Sequence, residues 1–275
     1  MSQEEPFTIS ASFSVDETSL VHRITIQHTG HVELVEESTA DEPGRYTIGV
    51  YAVDIGSKRA QEFRGVWAAL SRNPLPKPEP VPPGTTLVRV TLDEHGKTET
   101  WMIDPSTSPP AMCRAAERLQ EFAKEVRKKP VREVGLKTEL DPKVVDRSAP
   151  LRLTVRLTSS GAEAAQVLDP FKAPQMGAGG FTLWGVRSDL PPADLWPQHS
   201  KQQVLTSRDA TKSPPPGSNE FLVIPPNQAA AYEFNVPITW EPGEYAVKII
   251  FESLTGSEGA INGKIVSAPV KLRVR

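Results

Sequence analysis

Apolar and polar side chains alternate along residues 7–15, with phenylalanine, isoleucine, alanine and valine at odd positions and serine or threonine at even ones. A period of two predicts a strand that buries one face. Tight turns at Thr29-Gly30 and Glu94-His95-Gly96 indicate hairpins between neighbouring strands. The same kind of pattern predicts further strands at 21–27, 32–35, 46–55, 85–92 and 97–103.

Two segments of the first half have a helical period instead. Apolar residues recur three and four positions apart in 60–71, which predicts an amphipathic helix of about three turns. A second helix is predicted with Ser108 as its N-cap and Pro109 as its first helical residue, extending to Val126. The basic residues Lys124–Lys129 fall in its last turns, where they complement the helix dipole. Residues 1–134 therefore predict an α+β domain, an antiparallel sheet with two helices.

The helical period disappears after residue 134, and short apolar runs separated by turn residues take its place. The segment Trp240–Tyr245, followed by the alternating run Ala246–Phe251, looks like the tyrosine corner of a β-sandwich, in which the tyrosine hydroxyl bonds to backbone a few residues upstream. The second domain is therefore predicted as an Ig-like β-sandwich over 135–275, and the whole chain as mainly β. Its strands are expected at 135–140, 151–158, 164–168, 180–186, 220–224, 230–236, 245–251 and 264–274.

A long proline-rich segment interrupts this series of strands. Only 202–205 within 188–219 has the pattern of a short strand, so the sequence predicts a long loop at 188–219 and a smaller irregular segment at 169–180. Irregular segments of this length in compact domains are often functional.

Trp196 is the strongest candidate for a functional residue in this loop. It precedes a proline, far from any periodic pattern. Tryptophan is enriched in the energetic centres of protein interfaces, and flanking prolines reduce the entropy lost on docking. We predict that Trp196 anchors a partner protein, with Leu195 and Pro197 as an apolar collar and Asp194 and His199 as a polar rim. The alternative is that Trp196 folds back and plugs one end of the sandwich.

Composition narrows the classes of function. The chain has 31 basic and 34 acidic residues, a net charge of −3, so no positive field is expected to attract nucleic acid or an anionic membrane surface. The start of the chain lacks the pattern of a secretory signal. The sequence contains no run of 18 apolar residues, so no membrane-spanning helix is predicted. The single cysteine, Cys113, excludes an internal disulfide. These features together predict a cytoplasmic protein.

The sequence predicts no catalytic residue, no metal and no cofactor. Glycine-rich runs lack the spacing of nucleotide-binding motifs, and no hydrolase or EF-hand motif is present. His22, His28 and His31 flank the first turn and in principle offer zinc ligands, but we interpret them as surface residues of strands. Cys113 has no partner base in the pattern and is predicted as a half-buried core residue. Four tryptophans beside periodic elements are predicted as core residues: Trp67, Trp101, Trp184 and Trp240.

The second half of the chain resembles the bacterial intracellular Ig-like domains, among which is the BsuPI type of proteinase inhibitor. The resemblance covers roughly residues 135–275 and is one of architecture. It rests on the alternating apolar residues of Leu151–Leu157, on Ile224–Gln228 before a strand, and on Pro242–Tyr245.

The first half is similar to the emfourin type of metalloprotease inhibitor over about 110 residues. The resemblance implies two consecutive glycines in the first turn, whereas this chain has Gly30-His31 there. The similarity rests on a strand ending at His28-Thr29-Gly30, a helix around Trp67 and Leu70, the hairpin Leu87–Ile103, and a closing helix Pro110–Val126.

Three functions follow from these patterns. The first is a non-enzymatic intracellular scaffold that binds another protein, such as a protease or an assembly component, through its sandwich loops or by strand addition at a sheet edge. The second is an intracellular protease inhibitor, as both resemblances imply, with 188–219 or 169–180 entering the active site. The third is an enzyme or small-ligand binder with a site between the two domains.

Overall fold

Strands account for most of the regular structure of this protein. The computed structural model describes residues 6–15, 19–38, 46–70, 86–147, 149–172, 179–189, 200–215, 220–255, 257 and 259–275. Antiparallel strand pairs predominate, and the helical part is small. The protein is therefore mainly β, as the hydrophobic pattern predicted.

The described residues divide into two compact units. The first lies within Met1–Ser38 and Gly49–Val131, and the second within Thr39–Ile48 and Arg132–Arg275. Ile48 belongs to the core of the second unit, and the Leu136 amide donates a hydrogen bond to the Tyr46 carbonyl at 3.0 Å. The sequence predicted one boundary, between residues 134 and 135, which leaves residues 46–48 in the first domain. Long-range strand pairing joins them to the second unit, and such pairing leaves no local signal in the sequence.

Six strands of the first unit form one antiparallel sheet. They are β1 (Phe7–Val15), β2 (Ser19–Gln27), β3 (His31–Glu36), β4 (Thr47–Asp54, from Gly49 onward in this unit), β5 (Thr86–Glu94) and β6 (Lys97–Ile103). Their order in the sheet is β6-β5-β1-β2-β3-β4. Both predicted hairpins are confirmed, with turns at 28–30 and 95–96.

Two helices bury one face each on the core of this unit: α1 (Ser57–Leu70) and α2 (Pro110–Val126). α1 begins where two glycine backbones meet, since a Cβ on Gly30 would lie 2.6 Å from Gly56 Cα. Gly30 also has a φ of +91°, which disfavours other residues. The Ile55 amide donates to the Gly30 carbonyl at 2.9 Å, so the first hairpin turn holds the start of α1.

The second helix begins one residue later than predicted. Pro109 is the N-cap and Pro110 the first helical residue, and no side chain caps the helix. The Ser108 hydroxyl instead accepts a hydrogen bond from the Asp104 amide at 3.0 Å, and the Ser108 amide donates to the Asp104 carbonyl at 2.9 Å. The predicted capping role of Ser108 is therefore wrong, because the preceding turn uses its hydroxyl.

The second unit contains the remaining strands in two larger sheets and one small one. The strands are β7 (Pro130–Asp141, from Arg132 onward in this unit), β8 (Val144–Val145), β9 (Pro150–Ser159), β10 (Ala165–Leu168), β11 (Gly179–Arg187), β12 (Ser200–Leu205), β13 (Ala210–Lys212), β14 (Phe221–Ile224), β15 (Ala229–Pro237), β16 (Gly243–Ser253), β17 (Gly263–Val266) and β18 (Val270–Val274). One sheet has the order β13-β15-β9-β7, the other β12-β11-β16-β18-β8 with β17 also beside β16, and β10 pairs with β14.

The two larger sheets enclose a common core, which makes this unit a β-sandwich. Alternate residues of β9, Leu151 to Leu157, are fully buried, and so are alternate residues of β16 in the facing sheet. Aromatic rings meet between the two sheets, with the Phe181 ring centroid 5.0 Å from that of Tyr232 and 6.0 Å from that of Phe234. The more specific Ig-like assignment stays a prediction.

Two sequence predictions for this unit need correction. The predicted loop 188–219 contains strands β12 and β13, so it is not one irregular segment. The predicted strand 264–274 is two strands, β17 and β18, separated by the segment that contains Ser267. There the Ser267 amide donates to the Ile249 carbonyl at 2.8 Å, and the Ser267 hydroxyl accepts a hydrogen bond from the Ile249 amide at 2.9 Å. A side-chain oxygen thus takes the place of one backbone carbonyl at the break.

Candidate functional site

The predicted partner-binding residues all lie outside the described residues: Asp194, Leu195, Trp196, Pro197 and His199. The flanks of their segment are described. β11 ends at Arg187, β12 begins at Ser200, and these adjacent antiparallel strands pair through Val186 and Ser200. The predicted site therefore belongs to the connection between two paired strands. The roles of its side chains in partner binding stay a prediction.

The tyrosine corner lies close to the end of β11. The Tyr245 hydroxyl donates a hydrogen bond to the Glu241 carbonyl at 2.8 Å, which confirms the predicted corner. The Trp240 ring packs 5.0 Å from the Tyr245 ring and also covers Gly185, where a Cβ would lie 2.5 Å from the Trp240 ring atom Cη2. The sandwich end beside the predicted loop is thus a tightly packed corner.

A salt bridge lies between this corner and the start of the predicted loop. Arg187 donates from Nε and Nη2 to the two carboxylate oxygens of Asp189, both at 2.7 Å. Its guanidinium lies 5.7 Å from the Tyr245 ring centroid. The hydrogen bonds from Arg187 lower the pKa of Asp189 from 3.8 to about 2. This bidentate pair fixes the chain two residues after β11 ends.

A groove with a volume of about 530 Å³ lies between α1 and α2. The helices run antiparallel, because the start of α1 contacts the end of α2. Arg59 Nη2 lies 3.4 Å from Glu125 Oε2, and the Phe63 and Phe122 rings are 5.0 Å apart. One helical stripe from each helix therefore faces the groove.

The floor of the groove is apolar and its lips are charged. Phe63 and Val66 are half-buried at the floor, above the fully buried Trp67. The charged lip residues are exposed: Arg59, Glu62, Arg114, Glu117, Arg118, Glu121 and Glu125. Aromatic residues and arginine are enriched in protein interfaces, whose rims are polar. The described groove residues include neither histidine nor cysteine for nucleophilic chemistry.

One ion pair joins the two helices at one end of the groove, and a second lies within α2. Arg59 pairs with Glu125 and lies 5.0 Å from the Phe122 ring centroid, and Lys124 pairs with Glu121 at 2.6 Å. No ion pair among the described residues involves Arg114 or Arg118 at the other end. The groove is therefore cross-linked by charge at one end, and the described arginines at the other end form no ion pair with described residues.

A second depression of about 450 Å³ lies beside the turn between β5 and β6. His28 and His95 both line it, but its carboxylates are engaged. Glu94 forms an ion pair with Arg64, and the Asp93 carboxylate accepts from Thr98 Oγ1 at 2.5 Å. Within the described ranges, no group of three His, Cys, Asp or Glu side chains is placed to hold a metal ion.

The histidines of the first hairpin do not share one environment. His31 is on the surface, with Nδ1 3.1 Å from Asp54. His22 is buried and stacks on Phe13 with ring centroids 4.3 Å apart, so the prediction of a surface residue is wrong for His22. Its Cα pairs with that of Glu36, which is buried and forms an ion pair with Arg127 after α2.

Two further predictions concern tryptophan and cysteine. Trp67, Trp101 and Trp240 are core residues as predicted. Trp184 instead lies half-buried on the other face of β11 from Phe181 and Leu183, with Lys248 Nζ 5.7 Å from its ring centroid. Cys113 is half-buried, as predicted.

Sequence patterns did not identify the groove because they assign the apolar stripe of each helix to the core. The available signal was the width of these stripes. In α1 the half-buried Phe63 and Val66 adjoin the buried positions Ala60 and Trp67. A helix whose apolar stripe extends beyond its buried face offers part of that stripe to a second contact.

The helices of the described residues do not have the combination of length and apolar character that crossing a bilayer requires. No family model matches the chain, and no curated protein matches it. Among solved structures it is similar to Northeast Structural Genomics Consortium target SoR45, at 15% identity over 52% of this chain and 87% of that chain, with a TM-score of 0.28. It is also similar to AvmM, which catalyses macrocyclization in alchivemycin A biosynthesis, at 10% identity over 51% of this chain and 88% of that chain, with a TM-score of 0.28. Similarities at this level carry no functional argument.

Proposed function

We propose that this protein is a non-enzymatic protein-binding module and that the groove between α1 and α2 is a contact surface for its partner. The observation that carries the proposal is the combination of half-buried Phe63 and Val66 with seven exposed charged residues at the lips. Burial of the apolar floor would supply binding energy, and the charged rim would select the partner.

The sequence-predicted loop stays part of the proposal as a second contact. Its anchor Trp196 follows the salt bridge of Arg187 and Asp189 by a few residues. Because that pair fixes the chain at the end of β11, part of the entropy cost of docking would be met before the partner arrives. A cytoplasmic location is proposed with it, since a half-buried single cysteine suits a reducing compartment.

Affinity capture from the native lysate, compared across variants, tests the proposal. The groove variant is Arg114→Glu with Arg118→Glu, which reverses charges at exposed positions. The matched control is Lys58→Glu with Lys128→Glu, which reverses one charge in α1 and one just after the end of α2, both outside the groove. The loop variant is Trp196→Ala.

A partner captured stoichiometrically by the wild type and the control, but lost from the groove variant, would support the groove. Loss only from Trp196→Ala would assign the interface to the loop instead. The absence of any stoichiometric partner would contradict the binding module and favour an enzyme or small-ligand binder. The alternative of a protease inhibitor requires that the captured partner is a protease whose activity falls when this protein is added.

A further inference from the structure

The length of the groove limits what it can hold. Its lining runs from Arg59 to Trp67 on α1 and from Arg114 to Glu125 on α2. At the helical rise of 1.5 Å per residue, these stretches correspond to about 12 Å and about 17 Å. A ligand lying along the groove would therefore contact it over two to three helical turns, or over about five residues of an extended chain.

The backbone requirements of the ligand favour a helix over an extended segment. An extended peptide leaves its amides and carbonyls unpaired and binds best at an open sheet edge, which pairs with them. The walls of this groove are helices whose backbone groups bond within each helix, and the lips are side chains. A helical ligand satisfies its own backbone and needs only to bury an apolar stripe.

Charge is distributed unequally along the groove. The end formed by the first turns of α2 has two arginines and one glutamate, Arg114, Arg118 and Glu117. The opposite end has three glutamates and one arginine: Glu62, Glu121, Glu125 and Arg59. A complementary ligand is acidic over Arg114 and Arg118 and basic over Glu62 and Glu121.

We propose that the occupant is one amphipathic helix of a partner protein, lying parallel to α2 with an acidic first turn over Arg114 and Arg118. This inference rests on the proposed function of the groove. The orientation follows from the helix dipole, since acidic side chains favour the N-terminal turn of a helix and basic ones the C-terminal turn. The apolar stripe of the ligand, at positions i, i+4, i+7 and i+11, covers Phe63 and Val66.

A display library of random 18-residue peptides, selected against the full chain, tests this inference. Enriched peptides are expected to repeat apolar residues three and four positions apart, with acids near the start and bases near the end. Synthetic copies are then measured by fluorescence polarisation against the wild type, Arg114→Glu/Arg118→Glu, and the control Lys58→Glu/Lys128→Glu. The groove variant is expected to lose roughly tenfold in affinity, and the control to bind as the wild type does.

A second peptide, with the acidic and basic ends exchanged, tests the orientation. It is expected to bind the groove variant more tightly than the wild type. The selected peptides could need Arg114 and Arg118 for binding and yet repeat apolar residues at every second position or contain internal prolines. That result would overturn the helical ligand and leave the groove as a binding site. Selection of no peptide, or equal affinity for all three proteins, would overturn the groove itself.

Discussion

Tyr245 shows how one side chain fixes a turn in the sandwich. Its ring is fully buried beside Trp240, and its hydroxyl closes the turn by bonding to the Glu241 carbonyl at 2.8 Å. The hydrogen bond connects β16 to the residues that precede it, so the corner resists fraying. Tyr232 is also buried in this unit, but its hydroxyl makes no hydrogen bond with the described residues.

This difference predicts unequal effects of the same substitution. Tyr245→Phe is expected to lower the free energy of unfolding by about 1 kcal/mol, the usual contribution of one hydrogen bond. Tyr232→Phe, the control, is expected to leave it unchanged. Urea unfolding followed by circular dichroism measures both, and equal losses would show that the corner bond contributes nothing specific.

The Arg187–Asp189 pair predicts a pH dependence of stability. Hydrogen bonds from Arg187 lower the pKa of Asp189 to about 2, whereas an unfolded aspartate titrates near 4. The pair therefore stabilises the protein fully above about pH 4, and this contribution is lost as the pH falls towards 2. The stability difference between the wild type and Asp189→Asn is expected to shrink between pH 5 and pH 2. A constant difference over this range would contradict the assignment.

Helix α1 and strand β11 each contain a glycine inside the element, and the surroundings of the two glycines differ. A Cβ on Gly65 in α1 would meet no atom within 4 Å. A Cβ on Gly185 in β11 would lie 2.5 Å from the Trp240 ring atom Cη2. The helix therefore has room for a methyl group at this position, and the strand does not.

Alanine at these two positions is expected to act in opposite directions. Gly65→Ala should raise the free energy of unfolding by roughly 0.5–1 kcal/mol, because glycine is a poor helix former. Gly185→Ala should lower it by roughly 1–3 kcal/mol through overpacking against Trp240. Denaturant midpoints that move the same way in both variants would be inconsistent with this packing.

Hairpins, helices and the tyrosine corner could be predicted from sequence because their signals are local. The alternation of side chains along β2 also contains a signal for the burial of His22. His22 lies on the same face of the strand as the buried Ile24 and Ile26, which places it in the core. The two-residue strand β8 could not be predicted, because parallel pairing with distant β18 creates it. The groove required the packing of two helices, which no local pattern records.

The net charge of the whole chain bears on whether it binds nucleic acids. The net charge is −3, and two cations of the basic segment 124–129 at the end of α2 are already paired, Lys124 with Glu121 and Arg127 with Glu36. We expect no mobility shift of duplex DNA or RNA at about 150 mM salt, where weak contacts are screened. A shift that disappears with Lys128→Glu and Lys129→Glu would reveal a nucleic-acid site in this segment.

The backbone contact of Gly30 with Gly56 makes Gly30 intolerant of substitution, in contrast to the lip residues of the groove. Gly30 is closed to every other residue, because any side chain would displace the start of α1 and with it one wall of the groove. The lip residues are exposed and carry no such constraint. A combinatorial library that varies Glu62, Arg114 and Arg118 while keeping Gly30 should yield folded proteins with new partners, which makes this helix pair a starting scaffold for engineered binders.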